Sequence, residues 1–505
     1  MTGTILGILN NKVIIQPTES KPNRNIMVMG GPGSFKTQSF VITNVYNETK
    51  NSIVVTDPKG EVYEQTAAVK QQQGYDVRVL NFANMMASDR HNPIDYVKKD
   101  IHATTVATKI VDSANKDSKR DVWYYSQRAL LKALILFVKY ELPPERRNME
   151  GILDFLQEFD PESDEDGESG LDEEFLKLER KHPARRAYEL GYKKAKGDMQ
   201  GSIIMSLLTT ISDFVDDEVA EFTRFSDFNL RDIGRKKMVL YVIIPVMDQS
   251  WEGLINIFFS QLFNELYDFA SENHSKLPKS VNFILDEFVN LGKFPGYEEF
   301  LATCRGYGIG VATIIQTLTQ LQDKYGDKKA ESILGNCAVK TCLNAANSTT
   351  AEYFKRLLDK ATVKVETESE STQHGKENNS SSSSENQSYT GRDLMTAGEI
   401  MQMEDDTSLI VFQNKRPIQA KKAFQFELFP QPKFLLNQSD YTPHSTAEQL
   451  EKFEQDKENY QSYMKADAEN RTEREKDESV ELEKAKEQKE QEIITEAAGF
   501  FKSMN

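Results

Sequence analysis

Eight residues near the N-terminus, Gly30-Gly31-Pro32-Gly33-Ser34-Phe35-Lys36-Thr37, restrict what this chain can fold into more than any other feature of it. An apolar run, Asn25–Gly30, leads into them, and Ser39–Val45 continues as a helical stretch. A glycine-rich turn between a buried strand and a helix start wraps backbone N–H groups around phosphates. The helix N-terminus adds its partial positive charge. In that setting Lys36 reaches the β- and γ-phosphates and the Thr37 hydroxyl holds Mg²⁺. One position departs from G-x-x-x-x-G-K-[ST]. Phe35 stands where glycine is usual, and a side chain there can crowd the loop. The plain alternative is a glycine-rich turn with an incidental Lys-Thr, so the reading depends on what else the chain carries.

Strand-like runs alternate with helical ones around this loop. Lys12–Gln16, Asn25–Gly30, Ser52–Thr56 and Asp76–Asn81 read as strands, with a helix over Glu61–Gln73. This alternation predicts an α/β fold with a parallel sheet. From about 100 to 230 the β pattern stops. Apolar residues recur at helical spacing in Trp123–Lys139, Met149–Phe159, Glu173–Leu178 and Gln200–Phe214. Strands return at Lys237–Pro245, Ser280–Leu285, Ile309–Ile315, Ala338–Leu343 and Thr407–Phe412. The expected organisation is a nucleotide-binding domain made of 1–99 and 231–430, interrupted by an all-α insertion over 100–230. The stretch 367–389 contains five consecutive serines, Ser380–Ser384, and is expected to be a disordered loop. Residues 431–505 are expected to be a charged tail, helical or disordered.

The formal net charge of −17 argues against a nucleic-acid partner only until its distribution is read. Residues 151–175 hold eleven acids and no Lys or Arg, and 445–505 hold seventeen acids against ten bases. The rest of the chain is near neutral, which leaves room for a basic surface elsewhere. Lys181, Arg185, Arg186, Lys193, Lys194 and Lys196 are the candidates for it, with a solvated helix face as the plain reading. Three cysteines, Cys304, Cys337 and Cys342, give no even framework and no CxxC pair, so reduced structural thiols in a cytosolic setting are expected. No apolar run reaches the roughly 18 residues of a membrane helix. The nearest, Ala129–Tyr140, is interrupted by Lys132.

Asn282-Phe283-Ile284-Leu285-Asp286-Glu287 places two carboxylates at the end of a buried strand. Asp286 is then on the Mg²⁺ shell and Glu287 polarises the attacking water. A helix cap followed by a surface acid is the alternative. Gln316 ends the next apolar strand, where an amide can sense the γ-phosphate. Arg305 lies in a glycine-flanked loop between those two strands, a candidate for a finger that reaches a neighbouring subunit.

Taken together, these residues resemble the type IV secretion coupling proteins of the TraG/TraD type, DNA-pumping ATPases of bacterial conjugation, in their Gram-positive form. The resemblance rests on Gly30–Thr37, Asp57-Pro58-Lys59-Gly60-Glu61, His91-Asn92-Pro93, Leu285-Asp286-Glu287-Phe288, Arg305–Gly310, Gln316, Gly391-Arg392-Asp393-Leu394-Met395 and Asn414–Ile418. It implies a RecA-like P-loop NTPase domain, an all-α domain that engages substrate, ATP and Mg²⁺ as cofactors, and a homohexameric ring around single-stranded DNA. It also implies relaxase, relaxosome accessory proteins and secretion-channel proteins as partners. Arg305 gains the role of the trans finger and Gln316 that of the sensor. The family's pair of N-terminal membrane helices has no counterpart here. The expectation is a soluble fragment or membrane-free variant, possible as a monomer, of a protein that works at the cytoplasmic face of the membrane.

Two other readings share the loop. One is a substrate receptor whose nucleotide sets conformation with little turnover, which Phe35 keeps open. The other is a chromosome-partitioning pump of the FtsK type, which calls for a C-terminal winged-helix reader that the Glu/Lys-rich tail does not resemble.

Overall fold

The computed structural model describes residues 3–18, 23–114, 120–142, 146–157, 169–195, 198–245, 250–294, 296–374, 379–432 and 434–444. The chain divides into two units, Met1–Pro443 and His444–Asn505, and of the second only His444 is among the described residues. Lys196, the acidic run 158–168 and the tail beyond 444 lie outside them.

Thirteen strands are described. They are β1 (Thr4–Leu9), β2 (Lys12–Gln16), β3 (Ile26–Met29), β4 (Ser52–Asp57), β5 (Asp76–Asn81), β6 (Met238–Ile243), β7 (Val281–Leu285), β8 (Ile309–Ile315), β9 (Val339–Cys342), β10 (Lys360–His374), β11 (Asn379–Asp393), β12 (Thr407–Phe412) and β13 (Ile418–Lys421). Eleven of them form one sheet in the order β2-β1-β13-β12-β9-β3-β8-β7-β4-β6-β5. From β9 to β5 every neighbouring pair is parallel. The strands β12, β13, β1 and β2 extend it antiparallel.

Parallel strands covered on both faces read as unbroken apolar runs, and β3, β4, β6 and β8 are buried at every position. Their alternating side chains feed two cores. Ile26, Val28, Ile53, Val55, Val239 and Tyr241 point into one, with the helices Ile42–Asn47 and Glu61–Gln72. Met27, Met29, Val54, Leu240 and Val242 point into the other. That second core continues through the helix Glu252–Glu272 into the helices between Asp100 and Arg235, where no strand is described. The helical run and the sheet therefore share one apolar core.

His91-Asn92-Pro93 makes the turn into this helical part. His91 is buried between Tyr96 and Phe258, with Nε2 3.0 Å from Gln261 Oε1. Asn92 caps the turn by accepting from Ile94 N and donates to Arg147 O. These are packing and capping roles, at a motif from which the sequence yielded only a resemblance.

Two sequence expectations are corrected. The described residues of the stretch 367–389 are strand rather than loop: β10 and β11 pair antiparallel from Lys360↔Asp393 to His374↔Asn379. Backbone ladder bonds do not need apolar side chains, so a serine-rich composition concealed the strand. The tail also begins later than 431. Leu436 N donates to Glu64 O, Gln438 Nε2 donates to Lys59 O at 3.0 Å, and the buried Tyr441 hydroxyl donates to Asp89 Oδ2 at 2.6 Å. Residues 436–441 thus bridge the loop after β4, the helix Glu61–Gln72 and the segment after β5. All three cysteines are free and buried, and burial pushes each thiol up to about 12, as inert structural thiols require.

Candidate functional site

Because β3, β8, β7 and β4 are parallel neighbours, their C-terminal ends lie side by side. The residues that follow them, Gly30–Thr37, Gln316, Asp286-Glu287 and Asp57, share one edge. A cleft of about 300 Å³ opens there. It is lined by Pro32 to Gln38, Asp57 to Lys59, Glu61, Asp286, Glu287 and Gln316. The crevice beyond the carboxyl ends of parallel strands is where open α/β sheets bind ligands.

The loop leaves β3 with Gly30 N bonded to Ile315 O at 3.1 Å and turns with Ser34 N on Gly31 O. A side chain at Gly31 would stand 2.5 Å from Ala346 Cβ, so only glycine fits there. Lys36 then caps a helical turn, Thr37–Val41, that runs into the helix Ile42–Asn47. Lys36 Nζ reaches back to Gly31 O at 3.3 Å. Burial lowers its pKa, while Asp286 and Glu287 oppose that and Lys59 adds to it. Thr37 Oγ1 lies 3.4 Å from Asp286 Oδ2, the pair between which a divalent cation would sit.

The cradle has polar atoms to spare. Ser34 Oγ and Asp57 Oδ1 are buried with no hydrogen-bond partner. Unpaired buried polar atoms are costly, and both residues line the cleft. Among the described residues no three His, Cys, Asp or Glu gather into a metal cage. That donor set, one carboxylate and one hydroxyl with room for phosphates and water, suits Mg²⁺ rather than a transition metal.

Glu287 is held in the left-handed region, at φ 47° and ψ 47°. Asn290 Nδ2 donates to one of its oxygens at 2.9 Å and Gln316 Nε2 to the other at 3.2 Å. A non-glycine residue in this region costs about 1–3 kcal/mol and persists only where its surroundings fix it, as Asn290 and Gln316 do here. The second of these bonds also ties Gln316 to Glu287, a link that spacing could not provide.

Phe35 sits at φ +61° with its ring 45% exposed. The loop demands a left-handed residue there, which is why glycine is usual. The ring packs edge-on against Phe424, with centroids 5.6 Å apart. A left-handed conformation costs an L-residue about 1–2 kcal/mol, and such an aromatic contact returns about 0.5–1.5 kcal/mol. Phe35→Ala keeps the strain and loses the contact, whereas Phe35→Gly loses both. The glycine variant is therefore expected to be the more stable of the two by about 1 kcal/mol, reversing the usual order. Urea midpoints of the two variants measure this; alanine above glycine would show that the loop is unstrained.

Burial pushes the Asp286 carboxyl up from 3.8 to about 6, against the pull of Lys36 and with the push of Glu287. Asp57 rises to about 7, again through burial, although Tyr63 N donates to it at 2.8 Å. In both cases the folded chain keeps a proton that the unfolded chain releases. The stabilisation this provides is complete below about pH 4 and is lost as pH rises through about 6 and 7. Mg²⁺ competes with the Asp286 proton, so its affinity is expected to fall about tenfold per pH unit below about 6. Thermal melts at pH 5.5 and 8, with and without Mg²⁺ and nucleotide, test this. Equal increments at both pH values would remove Asp286 from the metal site.

Arg305 is not part of this cleft. It is exposed in the turn Cys304–Tyr307, which precedes β8, whereas Gln316 follows it. The two are at opposite ends of one buried strand. Among the basic candidates, Arg185 is occupied: it pairs with Glu189 at 2.8 Å and donates to Leu176 O and Leu178 O. Lys193 Nζ lies 3.4 Å from Asp172, while Lys181, Arg186 and Lys194 are exposed. Arg186 shares a groove of about 400 Å³ with Arg128, Lys132 and Asp100. Arg128 and Lys132 were not singled out from sequence, since one helix turn between two cations is an ordinary solvated pattern.

The model of the family described as "Type IV secretory system Conjugative DNA transfer" matches residues 16–452. The protein VirD4 of Rhizobium radiobacter is 26% identical over 204 residues, 40% of this chain and 28% of that protein. The conjugal transfer protein TraG of Escherichia coli is 24% identical over 342 residues, 62% of this chain and 52% of that protein. The chain thus spans about half the length, or less, of these relatives. The plasmid coupling protein TrwB, solved with a non-hydrolysable ATP analogue, superposes with a TM-score of 0.60 at 15% identity, over 88% of this chain and 93% of TrwB. TrwB has also been solved with ADP and Mg²⁺, at a TM-score of 0.57 and 15% identity, over 83% of this chain and 88% of TrwB.

Proposed function

For a chain that belongs to the type IV secretory system conjugative DNA transfer family, we propose the work of a coupling ATPase that recruits a relaxosome and drives single-stranded DNA with its bound protein to a secretion channel. The observation that carries this is the meeting of Lys36 and Thr37, Asp286 and Glu287, and Gln316 on one sheet edge, around a cleft with unpaired buried polar atoms.

In this reading the backbone of Gly30–Thr37 and Lys36 bind the phosphates of ATP. Thr37 and Asp286 would hold Mg²⁺, which would neutralise charge developing on the phosphates. Glu287, fixed by Asn290 and Gln316, orients the attacking water, and Gln316 senses the γ-phosphate. Arg305 completes the site of a neighbouring subunit in a homohexameric ring, a role its place at the far end of β8 favours over one in its own cleft. Relaxase, relaxosome accessory proteins and channel proteins are the proposed partners, at the cytoplasmic face of a membrane. Among the described residues no helix is long and apolar enough to cross a membrane.

DNA contact in a translocase is mostly to phosphates, so binding should weaken steeply with salt. The groove with Arg128, Lys132 and Arg186 supports an anionic partner on the helical part, and also favours the receptor reading. ATP turnover measured against chain concentration, with and without single-stranded DNA, separates the two. A motor shows turnover per chain rising with concentration and again with DNA. Nucleotide binding without turnover at any concentration would leave only the receptor.

A further inference from the structure

The phosphate loop has two flanks. Toward β8 and β7 lie Gln316, Asp286 and Glu287, the end at which the γ-phosphate is handled. Toward β9, β12 and β13 lies the segment that follows β13, residues 422–431. The γ-phosphate and the base are the two ends of one extended nucleotide, so with the γ-phosphate toward the carboxylates the sugar and base extend along the other flank.

That other flank carries an aromatic group unused by the chemistry above. Phe424 and Phe426 stack with centroids 5.1 Å apart and planes 21° from parallel, and Phe426 is 53% exposed. Phe35, itself a lining residue of the cleft, meets the edge of Phe424. Gln38, also a lining residue and the next after Thr37, accepts from Gln425 Nε2 at 3.1 Å. Gln425 in turn accepts from Gln431 at 2.8 Å. The segment is anchored rather than loose: Thr43 Oγ1 donates to Ala423 O at 2.7 Å, Lys422 Nζ donates to Asp405 O at 2.7 Å, and Phe429 stacks on Tyr46. A ring pair whose outer member is exposed, held this firmly beside a phosphate cradle, is a stacking surface.

We propose that the Phe424–Phe426 pair, reached past Phe35 and Gln38, is the platform on which the base of the bound nucleotide stacks. The proposal rests on the reading of the cleft as a nucleotide site. It also explains a purpose for Phe35: the ring that departs from the glycine pattern joins the phosphate loop to the base platform. Stacking on phenylalanine uses the face that every base has and reads no hydrogen-bonding edge, so ATP and GTP should bind within a few-fold of each other.

The test is calorimetric titration of the full chain with Mg²⁺ and either ATP, GTP or inorganic tripolyphosphate. Wild type is expected to bind ATP and GTP alike and tripolyphosphate more weakly. Phe426→Ala, a change at a half-exposed ring, is expected to weaken ATP roughly 5- to 150-fold and leave tripolyphosphate unchanged, with Phe426→Trp restoring ATP. Wild type binding tripolyphosphate as tightly as ATP, or Phe426→Ala weakening both equally or neither, overturns the platform alone. Wild type binding none of the three removes the nucleotide site itself and the platform with it.

Discussion

Lys36→Ala is expected to lower ATP turnover by roughly 10²–10³-fold or more in a chain that still folds. Lys36 Nζ bonds only the Gly31 carbonyl among the described contacts, so little structure depends on it. Its electrostatic role is larger. It is the cation that restrains the rise of the Asp286 pKa, while Glu287 pushes the same way as burial. Removing it therefore has two effects. The phosphates lose their positive partner, and Asp286 takes a proton at a higher pH, which weakens Mg²⁺ near neutrality. Turnover and Mg²⁺ affinity, each measured against pH, should both drop, with the Mg²⁺ midpoint moved upward. A variant that hydrolyses ATP at the wild-type rate would end the assignment of Gly30–Thr37 as the phosphate site.

Arg305→Ala is expected to lower turnover by roughly 10³-fold while leaving nucleotide affinity intact. The seven residues of β8 span roughly 20 Å, and Arg305 and Gln316 lie beyond opposite ends of that strand. The guanidinium cannot serve its own cleft. A mixing experiment distinguishes the trans role from simple damage. A Lys36→Ala chain has a dead site but an intact Arg305, and an Arg305→Ala chain has the reverse. Mixed one to one, roughly a quarter of the interfaces in a ring pair a good site with a good arginine. Two inactive proteins should then regain activity on mixing. No gain, at concentrations where wild type is active, would make Arg305 an ordinary surface residue.

Most of the sheet could be read from the chain because strands buried on both faces are apolar throughout. Asn25–Gly30, Ser52–Thr56 and Ile309–Ile315 were visible for that reason. The unseen strands lack the signal. Thr4–Leu9 is broken by Gly7, where the pairing with β2 slips, and Ile418–Lys421 is four residues long. Each finds the other only across some four hundred residues, at Ile8↔Lys421. The site divides in the same way. Lys36 and Thr37 open the helix after the glycine loop, and Asp286 and Gln316 stand at strand ends, where spacing points to them. Phe424, Gln438 and Tyr441 do not, since their meaning comes from touching Phe35, Lys59 and Asp89, and nothing local marks a residue for a partner that remote.

The strand order has a consequence for how the protein is made. Ile26–Met29 pairs only with β8 and β9, Ser52–Asp57 only with β6 and β7, and Asp76–Asn81 only with β6. None of these three early strands neighbours another. A ribosome that has finished the nucleotide loop must add roughly 280 more residues before β3 meets its first partner, on the order of 15–55 s of synthesis. During that interval the emerging chain displays apolar strands with open edges, the condition that invites aggregation. Its N-terminal third should therefore be a strong client for chaperones and, when released early, a substrate for proteolysis rather than a stable subdomain.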